Sequence, residues 1–281
     1  YRCLNNACGC RFHWRRAVHK HENTTILSPT FVKNPSSAHI TGCRFDFPRI
    51  QRENHEYSFL DKAGNLHLRV NFPIGSAYGD LWPKGETLTS KQRTAAIKRS
   101  HITGVHDLQK LVRFTESHFG ALDDNALDHL YIHYQGQSYH WPQLFTGSDD
   151  YYELAMAGQA HDPDGLKPPR MCVVAPTHEI APNKNGHYRF ACSPQQGHKA
   201  LQIQPVLVLH NNAEALYDRV LAATQNRRTL LAAGRPFSAA QHYALQNCYL
   251  FMARETQLAD IADNYWRPAL QQRRQLAFNF Y

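Results

Sequence analysis

The sequence has no apolar run that approaches the ~20 residues a membrane-spanning helix needs. Its first residues are polar and basic, with no apolar stretch of the kind that directs secretion, so it reads as a cytoplasmic protein with no membrane partner. It also lacks a disulfide framework. The seven cysteines are odd in number and bunched, which favours reduced thiols or metal ligands over crosslinks. Several nucleotide and hydrolase signatures are missing: there is no P-loop, no G-x-G-x-x-G and no G-x-S-x-G. No internal repeat or low-complexity stretch is present.

Acidic residues are scarce at one end. Residues 1–52 contain nine Lys and Arg but only Glu22 and Asp46, a formal charge of +7. The remaining 22 basic and 21 acidic groups nearly cancel, so almost all of the net +8 sits in this segment. A concentrated basic segment attracts polyanions, nucleic acid above all. The same segment is poor in apolar groups. Phe12, Trp14, Ile26, Leu27, Phe31, Val32, Phe45 and Phe47 are its main core candidates, too few for a conventional core, so it needs a staple.

The cysteines supply one. Cys3 with Cys8 or Cys10 forms a first pair, and His39 with Cys43 an H-x3-C second pair. A tetrahedral Zn²⁺ site takes four N or S ligands, commonly as two close pairs on two turns. The expected ligands are Cys3, Cys8, His39 and Cys43, with Cys10 the substitute for Cys8. Gly9, after Cys8, is expected to let the backbone turn its amides toward the thiolate. Four protein ligands leave no open position, so the site is structural rather than catalytic. Its expected purpose is to hold Arg11, Arg15, Arg16, Lys20 and Lys33 as one basic face for nucleic acid, DNA favoured. Phe12 and Trp14 read as core rather than as stacking platforms.

The pattern Tyr1-x-Cys3, Cys8, Phe12, then Ser37-Ala38-His39-Ile40 and Cys43 resembles the zinc-ribbon head of CoiA-like competence proteins and related proteins of bacterial mobile elements. The resemblance covers about the first fifty residues. It implies a zinc ribbon and contact with DNA. Some CoiA-like proteins carry a restriction-nuclease-like domain, but the Asp and Glu-x-Lys arrangement such a nuclease needs is not found in this sequence, so no nuclease is carried over. At the other end, Gln275, Leu276, Phe278 and Phe280 resemble the short peptide by which bacterial replication and repair proteins dock on the DNA sliding clamp, with Phe278 where Leu is usual.

Elsewhere the sequence predicts an α+β fold: a small N-terminal zinc ribbon followed by mixed α/β domains. The expected units are 1–52, 53–160 and 168–281, with the polar stretch 158–169 as a linker. A hairpin is expected over 55–74 about DKAGN, then a loop over 75–90, helices over 90–119 broken near Gly104, and a short helix and hairpin about Gln135–Gly136. WPQLF and YYELAMAG read as short helices. MCVVAP, HYRFAC and LQIQPVLVLH read as strands of one sheet. A helix capped by Asn211–Asn212 is expected to run through LLAAG to stops at Gly234 and Pro236, and a second from Ser238 to about Trp266. Other histidines and acids do not assemble a site. HLYIH lacks the Glu of a zinc protease helix. Cys172, His178, His187, Cys192 and His198 are irregularly spaced, and Asp123–Asp124 and Asp149–Asp150 read as caps. The function expected is non-enzymatic: a zinc-containing nucleic-acid-binding accessory protein of a larger complex on a bacterial mobile element or defence system. The alternatives are a metal-dependent nucleic-acid enzyme and a protein-interaction adaptor.

Overall fold

Short runs of β-branched and aromatic residues set the architecture. The computed structural model describes residues 3–5, 7–15, 18–19, 26–27, 30–34, 36–70, 104–122, 125–134, 137–147, 151–159, 170–194, 203–237 and 247–262. The fold is α+β, with helices and mixed sheets. In the N-terminal segment, β1 (Phe12–Arg15) pairs antiparallel with β4 (Thr30–Lys33), and β2 (Val18–His19) with β3 (Ile26–Leu27). Helix α1 (Phe47–Glu53) follows, with a proline in its first turn, where the missing N–H costs no hydrogen bond.

A four-stranded sheet comes next, in the order β5 (Ser58–Leu60), β6 (Leu66–Arg69), β7 (Leu130–Tyr134), β8 (Gln137–His140). Its outer pairs are antiparallel hairpins and its central pair is parallel. The crossover between β6 and β7 contains α2 (Leu108–Phe119). The Asp107 carboxylate accepts from the Gln109 amide at 2.6 Å at the start of α2, and Gly120, at φ 81°, ends it. Leu108, Leu111 and Phe119 of this helix join Leu66, Leu68, Leu130 and Ile132 of the sheet in one buried core. Trp141 of the short helix α3 (Trp141–Leu144) fills it and donates its indole N–H to the Leu122 carbonyl at 2.9 Å.

The larger sheet has eight strands. Its path runs β11 (Pro176–Ile180), β12 (Tyr188–Cys192), β13 (Gln204–Leu209), β15 (Asn247–Met252), β14 (Leu230–Phe237), β10 (Arg170–Val174), β9 (Phe145–Thr146), with β16 (Leu258–Asp260) also on β14. Period-two alternation divides its side chains between two cores. Met171, Val173, Leu231, Ala233 and Ala259 face the core of the four-stranded sheet. Cys172, Val174, Leu230, Ala232 and Leu258 face a second core shared with α4 (Tyr151–Gln159) and α5 (Glu214–Gln225). Strand β9 precedes the 158–169 stretch and helix α4 runs into its first two residues, yet both pack into the larger sheet, and one buried core holds residues from both sides of that stretch. The stretch itself, from residue 160, lies outside the described residues.

Three expectations need correction. Helix α5 ends at Gln225, not at Gly234: Arg227, at φ 51°, turns the chain, and LLAAG is strand β14. Its N-cap is Ala213, without a side-chain cap, rather than an asparagine. The helix expected from Ser238 is replaced over its described part by β15 and β16. Leu, Ala and Met favour helices in isolation, but the slots between β10, β15 and β16 accept only extended chain buried on both faces, and tertiary packing overrides the local preference. Asn125–His129 is a 3-10 turn, and Pro176–Ile180 adds strand β11 to the three expected apolar runs. The loop over 75–90, the first helix of 90–119, the turn at 135–136 and the segment 238–246 lie outside the described residues.

Gly234 marks the tightest crossing. A Cβ there would lie 2.5 Å from the Phe251 carbonyl oxygen and 2.9 Å from Leu250 Cγ. Gly234→Ala should therefore destabilise the protein by about 2 kcal/mol or more in denaturant unfolding, with the m-value unchanged.

Candidate metal centre

Cys3, Cys8, His39 and Cys43 converge. One donor atom from each lies within 4.8 Å of all the others. The Cys3 and Cys43 sulfurs are 3.7 Å apart, and Cys8 Sγ is 3.3 Å from His39 Nδ1. In a tetrahedral site with metal–sulfur bonds of about 2.3 Å the sulfur–sulfur edge is about 3.8 Å, so these spacings suit a single ion at the centre. The three cysteines are buried and His39 half-buried. Together they form a site able to hold a metal ion.

Local turns aim the donors. The Cys8 amide donates to the Asn5 carbonyl at 2.8 Å, and the Cys43 amide to the Ile40 carbonyl at 3.1 Å, closing a turn before each of these sulfurs. The Cys3 amide donates to the Cys10 carbonyl at 2.9 Å, bringing the two arms of the first loop together. Each sulfur faces the amide two residues on: Cys3 that of Asn5, Cys8 that of Cys10, Cys43 that of Phe45. Amides so placed stabilise thiolate charge and fix the sulfur's direction. Asn5 Nδ2 adds a contact to Cys43 Sγ at 3.7 Å. The glycine that makes the geometry possible is Gly42, not Gly9. Gly42 has φ 77°, whereas a Cβ on Gly9 would meet nothing within 4 Å and its φ is unremarkable for any residue. The signal was present in the sequence as Thr41-Gly42-Cys43.

The thiols are poised differently. Burial pushes Cys3 up to about 12, helped by the neighbouring Cys43 thiol. Burial raises Cys43 too. At Cys8 burial works in the same sense, but the amides of Cys10 and Ile40 and the other two thiols outweigh it, and its value falls below the ordinary one. Burial lowers His39, which favours the neutral imidazole a metal requires. Without a cation, three sulfurs so close resist ionising together. A divalent ion reverses that balance and displaces their protons.

Cys10 is buried, but its Sγ lies 3.9 Å from the Ser37 carbonyl and it is not part of the donor set. The four cysteines form a small cluster of their own, with Phe12 and Phe45 packed against it. Phe45 also packs on the main core, with ring centroids 6.3 Å from Phe47 and from His129. Arg49 of α1 donates to the Cys43 carbonyl at 3.5 Å and pairs with Glu53 at 2.9 Å. The metal loops are thus tied to the body at two points.

Of the expected basic residues, strand register relates Arg11, Arg15 and Lys33. Lys33 stands opposite Phe12 in the β1–β4 register, so it shares the face of Phe12, while Arg11 and His13 alternate to the other face. Both Arg11 and Lys33 are exposed. Arg15 stands opposite Thr30 in the register. Arg16, Lys20 and the tail residues Gln275, Leu276, Phe278 and Phe280 lie outside the described residues. Cys172 and Cys192 are buried in the second core, where burial raises the first well above its ordinary value and the second to about 12, so these thiols stay protonated. His178 meets the Thr177 hydroxyl at 3.0 Å and His187 packs on His210. His198, Asp123, Asp124, Asp149 and Asp150 lie outside the described residues. Among those described, no other group of three or more His, Cys, Asp or Glu residues comes close enough to share an ion. Comparison with protein-family models, curated proteins and solved structures found no match for this chain.

Gly42→Ala, which forces an L-residue into the left-handed region, should weaken metal binding by about 1 kcal/mol, roughly fivefold. Gly9→Ala should leave it unchanged. Competition titration with a chromogenic chelator distinguishes the two.

Proposed function

We propose that Cys3, Cys8, His39 and Cys43 hold one structural Zn²⁺, and that the head folded around it binds nucleic acid, DNA in preference, as an accessory component of a larger complex on a bacterial mobile element or defence system. The donor set carries the proposal. Three sulfurs and one imidazole nitrogen within 4.8 Å of one another suit the borderline-soft Zn²⁺ better than the hard, oxygen-seeking Mg²⁺ or Ca²⁺. The cluster of four cysteines and two phenylalanines is a minimal core for the loops around it, so metal binding and folding of the head are one process.

The charge pattern supports the second half. Three thiolates leave a bound Zn²⁺ with a formal surplus of one negative charge, far short of the +7 on residues 1–52. The remaining charge is available for phosphates. The resemblance to CoiA-like heads agrees with this reading. The tail Gln275, Leu276, Phe278 and Phe280 is proposed as a docking peptide for a protein partner such as a sliding clamp, and the protein's setting as the cytoplasm.

The purified protein should contain one zinc per chain by atomic emission. Cys43→Ser should lose it, together with amide protection in residues 1–50. Binding to a DNA duplex should fall steeply with salt, and Arg15→Ala with Arg16→Ala should lower the slope of log K against log salt by about 2 at unchanged zinc content. Binding to no nucleic acid at any salt defeats the reading and leaves a protein adaptor. Mg²⁺-dependent cleavage abolished by mutations outside the head would move the assignment to an enzyme.

A further inference from the structure

One face of the four-stranded sheet is apolar and packs on the main core. The other gathers Phe59, His67, Arg69, Tyr131, His133 and Ser138 by strand alternation and register: Phe59 stands opposite His67, His67 beside Tyr131, Arg69 beside His133, and His133 opposite Ser138. These six residues come from four strands, so no spacing along the chain groups them.

Their polar groups form a line. Asp61 heads it, in the turn between β5 and β6. Its Oδ1 accepts the Ala63 and Asn65 amides at 2.8 and 2.9 Å, and its Oδ2 accepts Asn65 Nδ2 at 2.9 Å. This carboxylate is ionised and fixed. His67 Nε2 lies 3.2 Å from the same Oδ2 and must be the donor, since an ionised carboxylate has no proton to give. In the neutral ring Nδ1 is then a bare acceptor. It faces Ser138 Oγ at 3.4 Å. The ring cannot swing away, because it is stacked between Phe59 and Tyr131 with both centroids 4.7 Å distant. His67 is buried but Ser138 is exposed, so the hydroxyl is reachable and its proton acceptor is sheltered. His133 Nδ1 lies 3.2 Å from the same Oγ, and the Arg69 guanidinium, next in the row, rests over Phe59 at 5.2 Å.

We propose that Ser138 is a nucleophile activated by His67, with Asp61 the positioning residue, and that this face takes a phosphoester whose charge meets Arg69 and His133. A hydroxyl, a base in hydrogen-bond reach and a third group orienting that base are the elements of an activated nucleophile. Ser138 Oγ would attack phosphorus, its proton passing to His67 Nδ1. The new O–P bond forms as the ester P–O bond breaks, and the leaving oxygen takes the proton from His67. Water then attacks phosphoserine, giving its proton to His67, and inorganic phosphate or a phosphomonoester leaves as the serine oxygen is reprotonated.

Diisopropyl fluorophosphate tests the nucleophile directly: Oγ–P forms, P–F breaks, fluoride leaves and His67 takes the proton. Peptide mass spectrometry should place the adduct on Ser138, absent in Ser138→Ala. No adduct at Ser138 overturns the proposal. His67 is buried and its replacement can unfold the sheet, so the base is tested with His67 intact. The thiol of Ser138→Cys should react with iodoacetamide at neutral pH at least tenfold faster than N-acetylcysteine, and an equal or slower rate removes the base. In ring ¹⁵N spectra His67 should carry its proton on Nε2, and Asp61→Asn should mix the tautomers. Unmixed spectra end the positioning role of Asp61. Hydrolysis of p-nitrophenyl phosphate should exceed that of Ser138→Ala at least tenfold, and equal rates overturn the phosphoester assignment. None of these readings involves the metal loops.

Discussion

Strand β14 is the constraint on which the body depends. It lies between β10 and β15 and also carries β16, so it must be extended, hydrogen-bonded on both edges and covered on both faces. Leu231 and Ala233 serve one core, Leu230 and Ala232 the other. Two layers thus share a single strand, and its small residues let them approach. At Gly234 even a methyl group has no room. Burial of apolar surface on both sides supplies the favourable free energy of such a strand, and its backbone groups have no alternative partner once water is excluded.

The head solves a different problem. It has few apolar residues with which to exclude water, and among the described residues before α1 the buried side chains are the four cysteines. Thiols pack as small hydrophobes, but four of them make a poor core, and three of them beside the His39 imidazole make a good ligand set. Phe45 belongs to both clusters, and Arg49 reaches from α1 to the Cys43 carbonyl, so order in the metal loops is transmitted to the body through a ring and one hydrogen bond. The outer face of the four-stranded sheet adds a third arrangement, in which stacked rings hold a polar line instead of a metal.

The donor set was legible because metal ligands occur in local pairs. Cys3 with Cys8, and His39 with Cys43, are each brought together by a turn of a few residues. Spacing alone leaves Cys8 and Cys10 interchangeable, and which of Gly9 and Gly42 takes a positive φ depends on the direction each loop must leave. Within the described part of the basic segment, the relation of Lys33 to Arg11 is set by strand register, which pairs Lys33 with Phe12.

The sequence by itself determined what local chemistry decides: the ligand pairs, the hairpins about Asp61–Asn65 and after Tyr134, the helix between Gly104 and residue 119, and the apolar runs of β10, β12 and β13. Only the tertiary structure decided that LLAAG and NCYLFM are strands, since their residues suit a helix equally and the slot beside β10 does not. It alone set Asp61, His67 and Ser138 in line. Those residues come from two hairpins joined by a parallel crossover, and no spacing along the chain encodes the register that brings them within hydrogen-bonding reach.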